Sequence, residues 1–362
     1  MKILYIAPEN TVGTLNVWKG MHEKRGNQCD FITLYRSAGQ FDPGICLDLP
    51  FVWANSTYMN LRHQYYKASR GPLGDYQEKD GFPPVWEPSN IFEGLYFKVR
   101  DWAWSFRIEP AIERYNLFEY DLIHLEWGLE FYRDGRLIDR LHKKGIPVVC
   151  TYHGQDMRTR GVIRKIDEYS SLNLTSELDL LEKHPNLKYL FLPFETDNYK
   201  PNLDIGDKIR ICHSPTNRYY KGSESIIPAC EKLANLNEDI EFILIENMTN
   251  QEAREIKSTC DILIDQVHNR GGWGYGMNSV EAMAMGLCCM TEMNEKYQSF
   301  LPNNPFVNTN GESLFTDLEK LVKDRQALKK RKELSRSWVV KHHGSESVGN
   351  VLYKYYEEHL QI

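Results

Sequence analysis

Short apolar runs alternate with helical patterns along most of this chain, and that alternation leaves few ways to fold. Residues 2–7 (KILYIA) predict a buried strand, 15–24 a helix, and 29–35 a strand that closes a βαβ unit. Further buried strands are expected over 121–125, 147–152, 172–175 and 187–192. Helices are expected over 134–144 and 176–183, the second capped by Ser176. Strands apolar on both faces need cover on both faces, and intervening helices supply it, so the sheet should be parallel.

The polar segment 192–208 (LPFETDNYKPNLDIGDK) carries two prolines and marks a domain boundary. A second alternation follows: strands over 208–212, 240–245, 261–265 and 287–291, helices over 223–234, 251–259 and up to Gly286, and helix for most of 312–362. The fold class is therefore α/β, with two Rossmann-like doubly wound domains expected at 1–195 and 203–340. Their sheets should face a cleft with their carboxyl ends. Between 37 and 88 the pattern breaks into an insert rich in Gly, Pro and aromatics, followed by a long helix from 91 to about 116.

Within the second alternation, 261–286 (DILIDQVHNRGGWGYGMNSVEAMAMG) combines a short apolar strand, a loop with Gly271, Gly272, Gly274 and Gly276, and a helix. Glycines let backbone amides approach a ligand, and the helix beyond them points its positive end at the same place. Such a loop can hold a phosphate or a sugar, with Glu281 one turn into the helix to accept hydroxyl hydrogen bonds.

Composition removes several alternatives. A net charge of −6 argues against a nucleic-acid partner. No apolar run approaches 18 residues, and the opening MKILYIAPEN is too short for a signal-peptide core. The eight cysteines show neither Cys-x-x-Cys nor a nearby histidine pattern, which suggests buried thiols of a reducing cytoplasm and no metal site. The loop after the first strand, Pro8 to Gly13, has one glycine and lacks the dinucleotide turn. No Walker A loop and no Asp-x-Asp string occurs.

Three segments carry a family resemblance. WGYGMNSVEAMAMG (273–286) is similar to the Glu-Gly-Phe-Gly-x5-Glu-Ala-Met-Ala-x-Gly motif of family 4 glycosyltransferases, retaining enzymes of the GT-B fold. NRYYKGSES, from Asn217, resembles the Arg…Lys-Gly stretch that opens the first helix of their C-terminal domain, and LPFETDNYKP (192–201) resembles their hinge. DLIHLEW and PVVCTYHGQD are weaker matches in the N-terminal half. The resemblance also implies a C-terminal helix, 341–362, packing back on the N-terminal domain.

What the resemblance implies for the site is specific. Lys221, with Arg218 two residues off the usual position, would stabilise the charge developing on a nucleoside diphosphate leaving group. Glu281 would grip the ribose hydroxyls. Gly274, Tyr275, Gly276, Met277 and Asn278 would line the donor loop. The family's first carboxylate is replaced here by Trp273, whose ring could stack on a pyranose, leaving Glu246, Asp265 or Glu292 to cover the lost acceptor. His153 would hold the donor sugar near its anomeric carbon, and the departing phosphate would take the acceptor proton. Glu9, Glu126 and Asp156 are candidate acceptor contacts, whereas His342 and His343 read as surface residues.

The expectation is a cytoplasmic, metal-independent retaining glycosyltransferase without a cofactor, of the kind found in polysaccharide biosynthesis. It would move a hexose-type sugar from a nucleoside diphosphate sugar to a glycan, lipid-linked or small acceptor. The aromatic insert could stack on acceptor sugars or touch lipid. The basic run 323–341 could rest on the inner membrane face, or be a solvated helix. The alternatives are a sugar-nucleotide epimerase on the same scaffold, needing an acid/base pair, and an inactive scaffold or glycan-binding subunit.

Overall fold

The computed structural model describes residues 1–37, 41–51, 78–154, 156–268, 270, 274–301 and 303–360. Trp273, Gly271, Gly272 and the insert aromatics Trp53, Tyr58, Tyr65, Tyr66 and Tyr76 lie outside them. The chain divides into two compact units, one formed by Met1–Pro193 with Val348–Ile362, the other by Phe194–Ser347.

The first unit is built on seven strands: β1 (Lys2–Ala7), β2 (Gln28–Thr33), β3 (Ile45–Cys46), β4 (Leu122–Glu126), β5 (Val148–Tyr152), β6 (Leu172–Thr175) and β7 (Leu187–Tyr189). They run in the order β3-β2-β1-β4-β5-β6-β7, and every pairing is parallel. Period-two alternation sends Leu4 and Ile6 into one core and Ile3 and Tyr5 into the other, which is why β1 is apolar from Ile3 onward. Val348, Leu352 and Tyr356 of the last helix, Ser345–His359, and Leu360 just beyond it lie in the second of these cores.

Two elements differ from the sequence expectations, and the long helix after the insert matches them. β3 is a short edge strand inside the stretch expected to be irregular, paired to β2 through Ile32 and Thr33. Residues 176–183 form only a 3-10 turn, Leu178–Glu182, and Ser176 does not cap it. The reason is Arg158, whose guanidinium binds both oxygens of Asp179 at 2.6 Å and Glu177 at 2.8 Å, holding the segment in a turn. The long helix Ile91–Arg114 is capped by Asn90 and buries Trp104, Ile108 and Ile112, while Phe92, Leu95, Val99, Trp102 and Phe106 stay exposed.

The second unit holds five parallel strands, β8 (Ile209–His213), β9 (Ile240–Leu244), β10 (Ile262–Ile264), β11 (Cys288–Thr291) and β12 (Val307–Asn308). Their order is β12-β11-β10-β8-β9. The run 323–341 lies mostly in the helix Arg325–His343, and its cations are largely engaged within this unit. Lys332 is fully buried and meets Asp261 at 2.5 Å. Lys329 meets Asp204 at 2.8 Å. Arg336 donates to the carbonyls of Thr196 and Ala284. Among the described residues no helix is long and apolar enough to cross a membrane.

Candidate active site

In the second unit β8 and β10 are neighbours whose connections run to opposite sides of the sheet, so a crevice opens at their carboxyl ends. His213 closes β8 and is fully buried there, bonded to the Ile264 carbonyl at 2.8 Å and the Ser223 hydroxyl at 2.7 Å. Burial lowers its pKa and favours the neutral ring. Beyond β8 the short helix Arg218–Lys221 starts on Asn217, whose side chain accepts from the Tyr219 and Tyr220 amides. Gly222 ends it at φ +69°, where a Cβ would lie 2.2 Å from the Val267 carbonyl oxygen.

That turn delivers Lys221 to the end of β10. Its ammonium donates to Asp265 Oδ1 at 2.6 Å and Gln266 Oε1 at 3.2 Å. Asp265 is fully buried and also accepts from the Ser279 hydroxyl at 2.7 Å and the Gly276 amide at 3.1 Å. Burial pushes its carboxyl upward, but Lys221 and these two donors prevail and bring its pKa down to about 2. Gly276 sets no side chain beside the ammonium: a Cβ built there would be in van der Waals contact with Lys221 Nζ, 3.7 Å away.

Glu281, one turn into the helix Met277–Ala284, is tied to a residue absent from the sequence expectations. Lys257, the last residue of the helix Asn250–Lys257, is only 3% exposed. Its ammonium donates to Glu281 Oε2 and Asn278 Oδ1, both at 2.6 Å. Tyr199 donates to the other Glu281 oxygen at 3.2 Å, and Asn278 returns a 3.4 Å contact to Asp265. Lys221 and Glu281 thus belong to one chain of contacts through Asp265, Asn278 and Lys257. No sequence signal marks Lys257, because its partners sit on another helix.

The remaining expected residues of this unit have other surroundings. Arg218 is largely exposed and forms a two-pronged pair with Glu246, at 2.5 and 2.8 Å, away from Lys221's partners. Gly274, at φ +87°, gives its carbonyl to Gln266 and Thr291, and Met277 is half-buried at the helix start. The Tyr275 ring stacks on Phe306 at 4.7 Å and its hydroxyl meets His343 Nε2 at 2.9 Å, so this side chain is a packing element. His343 is correspondingly buried and not a surface residue. Of the three carboxylates suggested to replace the one lost at 273, Glu246 pairs with Arg218, Asp265 holds Lys221, and Glu292 accepts the His268 amide.

The first unit has a corresponding position at the carboxyl ends of β1 and β4. Glu9 follows β1, and burial raises its pKa despite the Ser37 hydrogen bond. Glu126 ends β4 and His153 follows β5, and His153 Nε2 donates to Glu126 Oε2 at 2.5 Å. Burial lowers the imidazole pKa, but Glu126, Asp156 and Glu177 outweigh it and leave the value raised. Asp156 holds the loop instead of facing outward: its carboxylate accepts the His153 and Met157 amides at 2.8 and 2.7 Å. Trp127, in a left-handed conformation at φ +64°, lies against the imidazole with ring centres 5.2 Å apart.

No family model matches the sequence, and no curated protein matches it. Solved structures do align over the whole chain. HepE from Anabaena, in complex with UDP, is 11% identical with a TM-score of 0.59, covering 99% of this chain and 100% of its own. Sucrose-phosphate synthase from Thermosynechococcus elongatus is 13% identical at 0.59, covering 100% and 99%. A candidate UDP-N-acetylglucosamine 2-epimerase from Listeria monocytogenes is 10% identical at 0.60, covering 99% and 96%. The chain has the GT-B fold.

At such low identity the likeness extends to architecture and not to residues. In GT-B terms the first unit is the N-terminal Rossmann-like domain, completed by the last helix, and the second is the C-terminal one. Each unit presents its own cluster at the switch point of its sheet, Glu126 with His153 in one and Lys221 with Glu281 in the other.

Proposed function

We propose that this chain is a glycosyltransferase that binds a nucleoside diphosphate sugar on its C-terminal domain and transfers the sugar with retention of configuration. The observation that carries the reading is the connected group of Lys221, Asp265, Asn278, Lys257 and Glu281 at the β8/β10 switch point. A diphosphate calls for fixed donors on one side and a ribose calls for an acceptor of hydroxyl hydrogens on the other. Lys221 has three N–H groups, two of them engaged, and Gly276 sets no side chain against it. HepE, of the same fold, binds UDP and UDP-glucose, which supports a nucleotide-sugar donor without naming this chain's base or sugar.

In this reading Lys221 stabilises the charge that grows on the leaving diphosphate, with no metal or cofactor required, and Glu281 accepts from the ribose hydroxyls. His153, oriented by Glu126, contacts the donor sugar, the departing phosphate takes the acceptor proton, and Glu9 lies on the acceptor side. The acceptor class is a glycan, a lipid-linked sugar or a small molecule.

A second reading, epimerisation of a sugar nucleotide, is favoured by the carboxylate–imidazole pair of Glu126 and His153, which could move a proton without any acceptor. Thermal melting with UDP, GDP and ADP tests for a donor site first, since saturating ligand must raise the melting temperature. No response to any of the three sinks both enzymatic readings and leaves the scaffold. Labelled sugar nucleotide in water then separates them. Slow hydrolysis with EDTA-insensitive rates supports the transferase, whereas a new epimer with intact diphosphate supports the second reading.

A further inference from the structure

Lys257 is an unusual residue to find where it is. The ammonium of a residue this buried carries a large desolvation penalty unless its hydrogen bonds replace the lost water. Here a carboxylate oxygen and an amide oxygen do so, Glu281 Oε2 and Asn278 Oδ1, each at 2.6 Å. An apolar side chain could tie the helix Asn250–Lys257 to the helix Met277–Ala284 without that penalty, so packing alone does not account for the charge. The ammonium holds both side chains that flank the helix start. Asn278 leads to Asp265 and Lys221, and Glu281 receives Tyr199 on its second oxygen.

We propose that Lys257 is a positioning residue that, together with Tyr199, locks the Glu281 carboxylate in the rotamer that receives the cis-diol of a nucleotide ribose. The inference rests on the donor-site reading above and deepens it. A carboxylate free to rotate loses side-chain entropy when it closes on a diol. One already held at both oxygens has lost that entropy during folding and still offers lone pairs outward. Lys257 touches no substrate; it acts through Glu281.

The test measures Kd for UDP, GDP and ADP, each beside its 2′,3′-dideoxy form, on the intact chain and on Lys257→Met, Lys257→Arg and Tyr199→Phe. The unaltered chain is expected to prefer the ribonucleotide by about 10–100-fold, the range that charge-assisted hydrogen bonds supply. Lys257→Met should bring that ratio to within about threefold, whatever change the two Kd values share. Tyr199→Phe should lower it partway, and Lys257→Arg should recover part of what Met loses. A ratio unchanged in Lys257→Met, whatever its melting temperature, overturns the proposal. If the Met variant does not fold, unchanged ratios in both Lys257→Arg and Tyr199→Phe overturn it equally. Failure of the unaltered chain to bind any of the three nucleotides defeats the donor-site reading and this inference with it, a result distinct from binding without a change in ratio.

Discussion

Lys221 and Asp265 make the residue-scale argument, because their pairing changes what a mutation at either position means. Asp265 is fully buried, and its low pKa depends largely on the ammonium 2.6 Å away. Removing Lys221 alone leaves an unpaired buried carboxylate, which costs about 3–5 kcal/mol. Lys221→Ala is therefore expected to lose nucleotide binding and to melt early, so activity loss in that variant is not diagnostic. The cleaner pair is Lys221→Met with Asp265→Asn, expected to recover most of the stability while nucleotide binding stays absent; recovered binding would remove Lys221 from the diphosphate role. The acid limb has a definite sign. Asp265 titrates near 3.8 when unfolded and about 2 when folded, so its contribution, on the order of 2 kcal/mol, is complete above pH 4 and lost as pH falls toward 2. At this scale the sequence supported naming Lys221 and Glu281 because both lie in local motifs. It could not supply Asp265 and Lys257 as their partners, since a pairing across 44 or 24 residues leaves no local pattern.

Among the elements, the loop into the helix Met277–Ala284 shows how far a local pattern can be read. Strand, glycine loop and helix are legible from composition, because apolar period and glycine density are local properties. Which glycine is structural is not. Gly274 stands at φ +87° with a Cβ position 1.9 Å from the Tyr297 ring, so this residue serves packing first. Gly274→Ala combines backbone strain with a steric clash, and an expected loss of roughly 2–5 kcal/mol should appear as a lower melting temperature. Truncating Tyr297 in the same chain should relieve only the clash. Residues 176–183 form no α-helix for the converse reason: their apolar spacing is adequate, but Arg158 engages Glu177 and Asp179 from the helical turn Asp156–Arg160. Tyr275 lies in the motif, yet its ring neighbours Phe306, Trp338 and His343 come from far along the chain.

At the scale of the whole molecule, the chain returns to its first unit at its end, and the joint it makes there is polar. His22 is hydrogen-bonded to Tyr5 at 2.9 Å and to Tyr353 of the last helix at 2.8 Å, and His124 is hydrogen-bonded to Tyr356 of the same helix. Burial, reinforced by Arg25, lowers the His22 pKa to about 3, and burial with His22 nearby lowers that of His124 well below its ordinary value. Unfolded, both rings titrate near 6.5, so below that pH the unfolded chain binds more protons than the folded one. Stability should then fall as the solution is acidified, by up to about 1.4 kcal/mol per pH unit for each ring. His153 acts in the opposite direction: its raised pKa gives stability that is present below 6.5 and lost as pH climbs through the folded value. Two opposed slopes meeting near pH 6.5 predict a stability maximum there for this unit. Amide exchange of β1 and β4, followed from pH 5 to 8 with urea, checks it. Replacing His22 and His124 by glutamine should flatten the acid slope alone, and replacing His153 by glutamine the alkaline slope alone. A maximum that stays at the same pH in both variants would assign the pH dependence to other groups and leave the polar joint as a neutral contact.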